Sequence, residues 1–443
     1  MSESLLSVGL DVGTTSTQLV VSRLTVENRA SSFAVPEMDI TQRDILYESP
    51  VYFTPLLGET LVDGEGVGKI VEAEYKAAGI RREDVDTGAI IITGETSRKE
   101  NARAVLDALS DYAGDFVVAT AGPDLESVLA AKGAGAVAYS RETGKTVLHM
   151  DIGGGTSNLA LIRDGKILRT GCLNVGGRLV KYEENGRISY VSPVLRRIFD
   201  TKVGETVKEA QLTALVETLT QALEMAAGLR PPTGLLEALL TREMAESWVP
   251  PEAEPVMSFS GGVADCIAGE KPWNQFGDLG PQLGQAIRRS LLCRGPYRLG
   301  EHTIRATVIG AGCHSTQLSG STVFCQNVRF PLKNLPVISS DGSHQEGSYV
   351  LAVPGTDAPT YEKVQILAEK LAKPGTRELF VCLEADMAKA LGHALAARMP
   401  KNARILCIDR VRVGENSYLD IGEPVGGAFP VVVKTLVLER RSP

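Results

Sequence analysis

The sequence predicts an α/β protein made of two related halves that face one cleft, followed by a C-terminal α/β region. Three observations predict this. A strand–turn–strand hairpin with an aspartate, glycine and threonine in its turn occurs twice, as "GLDVGTTST" (9–17) and as "MDIGGGTSN" (150–158). Each hairpin is followed by segments that alternate apolar strand runs with helical periodicity. A separate strand–helix–strand pattern then occupies 378–413. The 443 residues suffice for two or three domains with sizeable cores. The expected division is 1–144, 145–299 and 300–443.

Taken in order, residues 5–30 read as two strands joined by the first turn. "AIIITGETSRKENARAVLDALSDYAG" (89–114) reads as strand, polar turn, helix, and "DFVVATAGPDLESVLAAKGAGAVAYS" (115–140) repeats that order. Residues 145–177 form the second hairpin. "QLTALVETLTQALEMAAGL" (211–229) has the 3.6-residue period of a helix. "PVMSFSGGVADCIAG" (255–269) is a strand, a Gly-Gly turn and a helix, and "LGPQLGQAIRRSLL" (279–292) is a further helix. The Pro- and Ser-rich "PLKNLPVISSDGSHQEG" (331–347) reads as a linker or long loop. "FPVVVKTLVLER" (429–440) closes the chain as a strand.

Composition narrows the class. Hydrophobic residues make up 43% and charged residues 23%, the proportions of a globular protein. A net charge of −8 argues against nucleic-acid binding, which needs a basic stripe. No apolar run is long enough to span a bilayer, and the N-terminus carries no basic, cleavable leader. A cytoplasmic protein without a membrane partner is expected. The seven cysteines are scattered, odd in number and lack a C-x-x-C spacing, which fits a reduced compartment and neither a disulfide framework nor a zinc site.

The two hairpin turns carry the chemistry. Asp11, Gly13, Thr14, Thr15 and Thr17 supply a carboxylate, a pliable backbone and hydroxyl and N–H donors. Glycine lets backbone N–H groups approach phosphate oxygens closely. A carboxylate repels phosphate, so Asp11 is expected to organise the waters of a Mg²⁺, which keeps much of its hydration shell. Asp151, Gly153, Gly154, Gly155 and Thr156 repeat the device, followed by Ser157. Two such turns can clamp one polyphosphate between two domains. Ser260, Gly261 and Gly262 follow a strand and precede a helix, and a Gly-Gly there can lie flat against a purine and ribose. Each turn alone is also consistent with an ordinary structural turn; their order along the chain favours a nucleotide.

This order of turns resembles the actin, sugar-kinase and heat-shock-chaperone ATPase superfamily over residues 5–293. "GLDVGTTST" and "DIGGGTSN" resemble its two phosphate loops, and "VMSFSGGVA" its adenosine loop. "AGPDLESVLAAKGAGAVAYS" and "LGPQLGQAIRRS" resemble its two connecting helices. The resemblance implies two ribonuclease-H-like domains around a nucleotide cleft, with ATP and Mg²⁺ as cofactors. Within the superfamily, "IITGETSRKENA", "HMDIGGGTSNLA", "VIGAGCHSTQLSGSTV" and "PVVVKTLVLE" make nearly the whole chain resemble the family of ethanolamine ammonia-lyase reactivating proteins. That implies an ATP-dependent chaperone with weak Mg-dependent ATPase activity. It would release damaged cobalamin from the lyase so that intact adenosylcobalamin can enter, with the lyase as partner, a transient contact with cobalamin, and an association with the ethanolamine microcompartment.

Chaperone relatives place a water-orienting carboxylate on the first connecting helix, and Glu126 occupies that place here. A helix N-terminal Glu is also favoured by the helix dipole alone, and Glu95 is a weaker rival. The alternative function is a small-molecule kinase of the same fold, although no sugar-kinase signature lies between the domains. A filament-forming scaffold is a third use of the fold. "DGEGVGKI" (63–70) is a near-miss P-loop, because Asp63 and Ile70 replace the required Gly and Ser/Thr. "VIGAGCHST" (308–316) reads as a Gly-x-Gly turn after a strand, either structural or ligand-facing. "DGSHQEG" (341–347) has the wrong Asp–His spacing for a cobalamin-binding loop. The sequence leaves oligomeric state open.

Overall fold

In the computed structural model the described residues are 3–13, 16–28, 38–57, 61–93, 105, 109, 117–120, 123–200, 202–241, 248–269, 271–314, 316–319, 322–339, 347–354, 360–373, 375–413, 417–424 and 427–435.

The first sheet runs Met38–Glu48, Ser16–Asn28, Glu3–Val12, Thr87–Ile92, Val117–Thr120 from edge to edge. The first three of these strands are antiparallel neighbours and the last two run parallel to Glu3–Val12. The second sheet runs Lys166–Leu173, Ser157–Arg163, Val147–Ile152, Val256–Ser260, Tyr297–Leu299, again antiparallel for three strands and parallel for two. Numbered within its own half, each sheet therefore has the order third, second, first, fourth, fifth. This is the ribonuclease-H-like topology, present twice, and two copies of it facing each other make the actin-like ATPase fold.

The central strands are buried on both faces, which explains their near-continuous apolar runs. In the first sheet, Val8, Leu10 and Val12 pack on one face with Val67, Val71 and Tyr75 of the helix Gly64–Ala78. Leu5, Val20 and Leu24 pack on the other with Val308, Ile309 and Cys313. The near-miss P-loop is the start of that first helix. Asp63 caps it by accepting from the Gly66 N–H at 2.9 Å.

Two helices lie between the sheets, Pro123–Gly133 and Ala306–His314. "VIGAGCHST" is thus mostly helix rather than a turn, and its glycines serve close packing. A Cβ on Gly133 would stand 1.9 Å from the Ala306 carbonyl oxygen, and one on Gly310 would stand 2.1 Å from the Leu129 carbonyl oxygen. Ala306–His314 also rests on the first sheet. A Cβ on Gly9 would meet the Val308 oxygen at 2.5 Å, and Ser7 donates to the Gly312 oxygen at 2.6 Å. The helix expected to connect the halves, within 279–292, packs instead inside the second half. Leu283 and Ile287 of Gly280–Arg289, four residues apart, join the core built with Leu212, Leu219 and Leu223 of Glu209–Ala226. The helices that touch both halves are Pro123–Gly133, whose Leu129 packs with Ala89 and Ile91 of the first sheet while Ser127 bonds Gly171 of the second, and Ala306–His314, whose Gly and Ala residues permit backbone contact on two sides.

The C-terminal region holds an eight-stranded sheet in the order Thr316–Leu318, Pro430–Thr435, Ser417–Ile421, Leu332–Ser339, Val350–Val353, Glu378–Leu383, Arg404–Ile408, Phe324–Gln326. Residues 331–347 were expected as a linker or long loop, yet within them Leu332–Ser339 is an inner strand, because Leu332 and Leu335 are buried in the core beneath it; Pro336 is accommodated beside a register shift, and 340–346 lie outside the described residues. The helices Tyr361–Leu371 and Ala388–Ala396 cover one face of the parallel part. Thr87 and Thr316 share a hydrogen bond of 2.9 Å and tie this region to the first sheet. No helix among the described residues is long and apolar enough to cross a membrane.

Candidate functional site

The two halves close their first hairpin in the same way. Gly13 N–H donates to the Ser16 oxygen at 2.8 Å, and Gly153 N–H donates to the Thr156 oxygen at 2.9 Å. Each closes a four-residue turn two residues beyond an aspartate at the end of the first strand. Asp11 and Asp151 are 9% and 7% exposed. They are brought near one another: burial pushes Asp11 up to about 7, Thr93 opposes the shift, and the charge of Asp151 adds to it. Asp151 is also pushed up by burial, against hydrogen bonds from Ser260 and Thr307.

Each aspartate has a hydroxyl support from beside the fourth strand of its own half, and Asp151 has a second. Thr93, just past the fourth strand of the first half, donates to Asp11 Oδ1 at 2.8 Å. Ser260, at the end of the fourth strand of the second half, donates to Asp151 Oδ1. Thr307 reaches Asp151 Oδ2 at 3.3 Å from the helix between the sheets. The segment before that helix joins the first half to the Gly-Gly loop of the second. Gln18 donates to the Ile304 oxygen at 3.2 Å, Arg305 to the Ser49 oxygen at 2.8 Å, and Gly261 N–H to the Thr303 oxygen at 2.8 Å.

The glycines divide into two kinds. Gly261 is required by the chain itself: its φ is +84°, and a Cβ would stand 2.3 Å from the Ile152 oxygen, so it brings the Gly-Gly loop against the strand end just before the Gly153–Thr156 turn. At Gly155 a Cβ would meet nothing within 4 Å, and at Gly153 and Gly262 it would make only ordinary contacts at 3.7 and 3.8 Å. The chain itself therefore leaves room beside these three glycines. Gly154 lies under the Arg178 stem, whose guanidinium is paired with Asp278 at 3.3 Å.

Two carboxylates held in a dry cleft are a poor arrangement without a counter-charge. Among the described residues no group of three or more His, Cys, Asp or Glu is placed to hold a metal ion. The donor set therefore suits a cation that keeps waters and takes its remaining ligands from phosphate, as Mg²⁺ does.

Thr14, Thr15 and Glu95 lie outside the described residues. Thr17 shares a hydrogen bond with Thr54 at 3.1 Å, and Thr54 donates to the Gly13 oxygen at 2.7 Å, bracing the first turn. Glu126 is half-buried in the first turn of Pro123–Gly133. Its neighbour Ser127 donates to the Gly171 oxygen at 3.4 Å. Register puts Gly171 level with Met150, two strands across. Ser127 thus ties the start of this helix to the second sheet near the level of Met150. Sequence reasoning missed Thr93, His149, Thr307 and Arg178. Only His149 left a signal: it sits two residues before Asp151 on one strand, and so on the same face.

The family model for the ethanolamine utilisation protein EutA matches residues 3–348 and 339–439. The ethanolamine ammonia-lyase reactivase EutA of Salmonella typhimurium is 40% identical, over 98% of this chain and 98% of that protein. The reactivase of the same name from Escherichia coli K12 is 38% identical, over 98% of each. A solved PPX-GPPA enzyme of Aquifex aeolicus aligns with 60% of this chain and 71% of its own at 15% identity and a TM-score of 0.38, too loose a likeness to carry an argument.

Proposed function

The chain belongs to the ethanolamine utilisation protein EutA family, and on that premise we propose that it is a reactivase of ethanolamine ammonia-lyase, driven by Mg-ATP held between its two halves. Near-complete coverage at 38–40% identity to two reactivases is the observation that carries the reading. The paired turns at Asp11 and Asp151 support the nucleotide.

In this reading the N–H groups and hydroxyls of the turns at Gly13–Thr15 and Gly153–Thr156 bind the β- and γ-phosphates. Gly261 and Gly262 seat the adenosine. Asp11 and Asp151 orient the water shell of Mg²⁺, and when bound that ion neutralises phosphate charge. Glu126 orients the attacking water. Hydrolysis is slow, since a chaperone needs two conformations more than it needs turnover. Both halves touch one nucleotide, so loss of the γ-phosphate alters how they are held together. That change can act on the lyase only if the lyase binds the two arrangements with different affinity. The result is release of damaged cobalamin and admission of adenosylcobalamin. The protein works in the cytoplasm in association with the ethanolamine microcompartment, where it must meet its lyase.

The test mixes the purified protein with hydroxocobalamin-inactivated lyase, Mg-ATP and adenosylcobalamin. Recovered ammonia release is the expected result. No recovery, with phosphorylation of a small molecule instead, would replace the reading with the kinase.

A further inference from the structure

Resting on the nucleotide reading above, we propose that His149 is a positioning residue for Asp151, acting through a one-way hydrogen-bond relay that begins at Ser258 and passes through Ser260. The strands Val147–Ile152 and Val256–Ser260 are parallel neighbours, with Ser258 opposite His149 and Ser260 opposite Asp151. Alternate residues share a face, so all four side chains line one face of the second sheet. His149, Ser258 and Ser260 are completely buried. His149 Nδ1 lies 3.0 Å from Ser258 Oγ, and Nε2 lies 3.0 Å from Ser260 Oγ.

The order of donors follows from counting hydrogens. A serine hydroxyl has one hydrogen to give. Ser260 spends its hydrogen on Asp151 Oδ1. Its oxygen must therefore accept from the imidazole, so Nε2 carries the hydrogen. Nδ1 of the neutral ring is then an acceptor and takes the Ser258 hydrogen. The chain runs from Ser258 O–H to Nδ1, from Nε2–H to Ser260, and from Ser260 O–H to Asp151. Its effect is to remove a choice. Without the imidazole N–H behind it, the Ser260 hydroxyl can rotate away, leaving one oxygen of a buried carboxylate unpaired. With it, Oδ1 is held from within the second half. Oδ2, touched by Thr307 at 3.3 Å, stays on the side of the inter-sheet helix. The carboxylate plane is fixed before any ligand arrives, as a metal-organising group requires. The other charged neighbour, Arg298, is on the next strand opposite Ser258, with its guanidinium over the Tyr139 ring at 4.5 Å.

The test uses the full-length protein labelled with ¹⁵N-histidine. The chain has only five histidines, and His149→Gln assigns the resonance. In Mg²⁺ buffer at pH 8, the His149 ring is expected solely as the Nε2–H tautomer, and Ser260→Ala, which removes the acceptor that selects it, is expected to release a mixture. Binding of a fluorescent non-hydrolysable ATP analogue is then titrated with Mg²⁺. In His149→Phe, which removes the Nε2–H donor, the half-saturating Mg²⁺ concentration should rise about fivefold, the worth of one net hydrogen bond. Affinity without Mg²⁺ should be unchanged, and His149→Gln, whose amide can donate to Ser260, should restore the midpoint. A wild-type ring found as the Nδ1–H tautomer, or a Mg²⁺ midpoint unmoved in His149→Phe, overturns the proposal. If the wild type binds no Mg-nucleotide at all, the nucleotide reading falls and the positioning role with it; the tautomer still decides the relay.

Discussion

Replacing either glycine at the contact of the two inter-sheet helices should loosen the joint between the halves, and the double replacement should cost less than the sum. The Cβ of Gly133→Ala would start 1.9 Å from the Ala306 oxygen and that of Gly310→Ala 2.1 Å from the Leu129 oxygen, where real Cβ contacts essentially never fall below 3.0 Å. Both obstacles are backbone, which cannot rotate aside, so the helices must part by roughly 1 Å. Overpacking of this kind costs about 1–3 kcal/mol. The parting also weakens dispersion along the rest of the contact, so about 2–3 kcal/mol is expected from each variant. Both methyl groups press on one contact, so a shift that accommodates the first leaves room for the second, and the double variant should fall well short of additive. Urea unfolding followed by circular dichroism measures all three, with Gly234→Ala as the control, since a Cβ there meets nothing within 4 Å. Either single variant unfolding within about 0.5 kcal/mol of wild type, or a fully additive pair, would refute the claim of backbone contact.

Asp11 gives a pH signature in cation-free protein. Its folded-state value near 7 lies above the unfolded carboxylate's, so its contribution is full below about pH 4 and is lost as pH rises through 7. Asp11→Asn should flatten the fall in urea midpoint between pH 5 and pH 8, and Mg²⁺ with nucleotide should flatten it in the wild type. Asp151→Ala should abolish Mg-dependent ATP hydrolysis with the circular dichroism spectrum intact; unchanged hydrolysis would remove it from the site. Glu126→Gln should lower kcat for ATP at least tenfold while leaving nucleotide affinity within twofold, and a change confined to affinity would exclude a role in orienting water. In the second core, Glu224 is 3% exposed and takes hydrogen bonds from Arg230 and from the Leu291 N–H at 2.9 Å. Arg230→Ala should cost about 2–3 kcal/mol by stranding that carboxylate, read as a lower thermal midpoint.

The hairpin repeat was legible because each turn concentrates its aspartate, glycines and hydroxyls in a few adjacent residues. "DVGTTS" and "DIGGGTS" announce themselves, and the two sheets do share one strand order. The inter-sheet helix was not legible. "RATVIGAGCHS" has the small residues of a turn, and only the neighbouring backbones at Leu129 and Gly9 explain why Gly310 and Gly312 sit within a helix. The linker reading failed over 332–339 for a related reason. Proline and serine mark irregular backbone in isolation, but Leu332 and Leu335 are claimed by a core that also takes in Phe380, Leu406, Leu419 and Ile421 from far downstream. Thr93, Ser260 and Thr307 approach the two carboxylates from other segments of the chain, a proximity that local sequence does not carry.

The duplication also shows why the halves cannot be interchangeable. In each, the first strand ends in the site's aspartate, and a hydroxyl at the end of the fourth strand supports it. They part company two residues earlier. The first half has Gly9 there, and the inter-sheet helix presses onto it so closely that a Cβ would stand 2.5 Å from the Val308 oxygen. The second half has His149 there, wedged between two serines. An imidazole at position 9 would push the helix off the first sheet, while a glycine at 149 would leave Ser258 and Ser260 facing a void. One aspartate thus stands on the strand the inter-sheet helix rests on, and the other on a strand stiffened by its own polar network. A nucleotide bridging them would bear on unequal supports. Motion prompted by loss of the γ-phosphate should then be taken up on the Asp11 side, where among the described residues one hydroxyl, that of Thr93, supports the carboxylate and the helix contact lies two residues away.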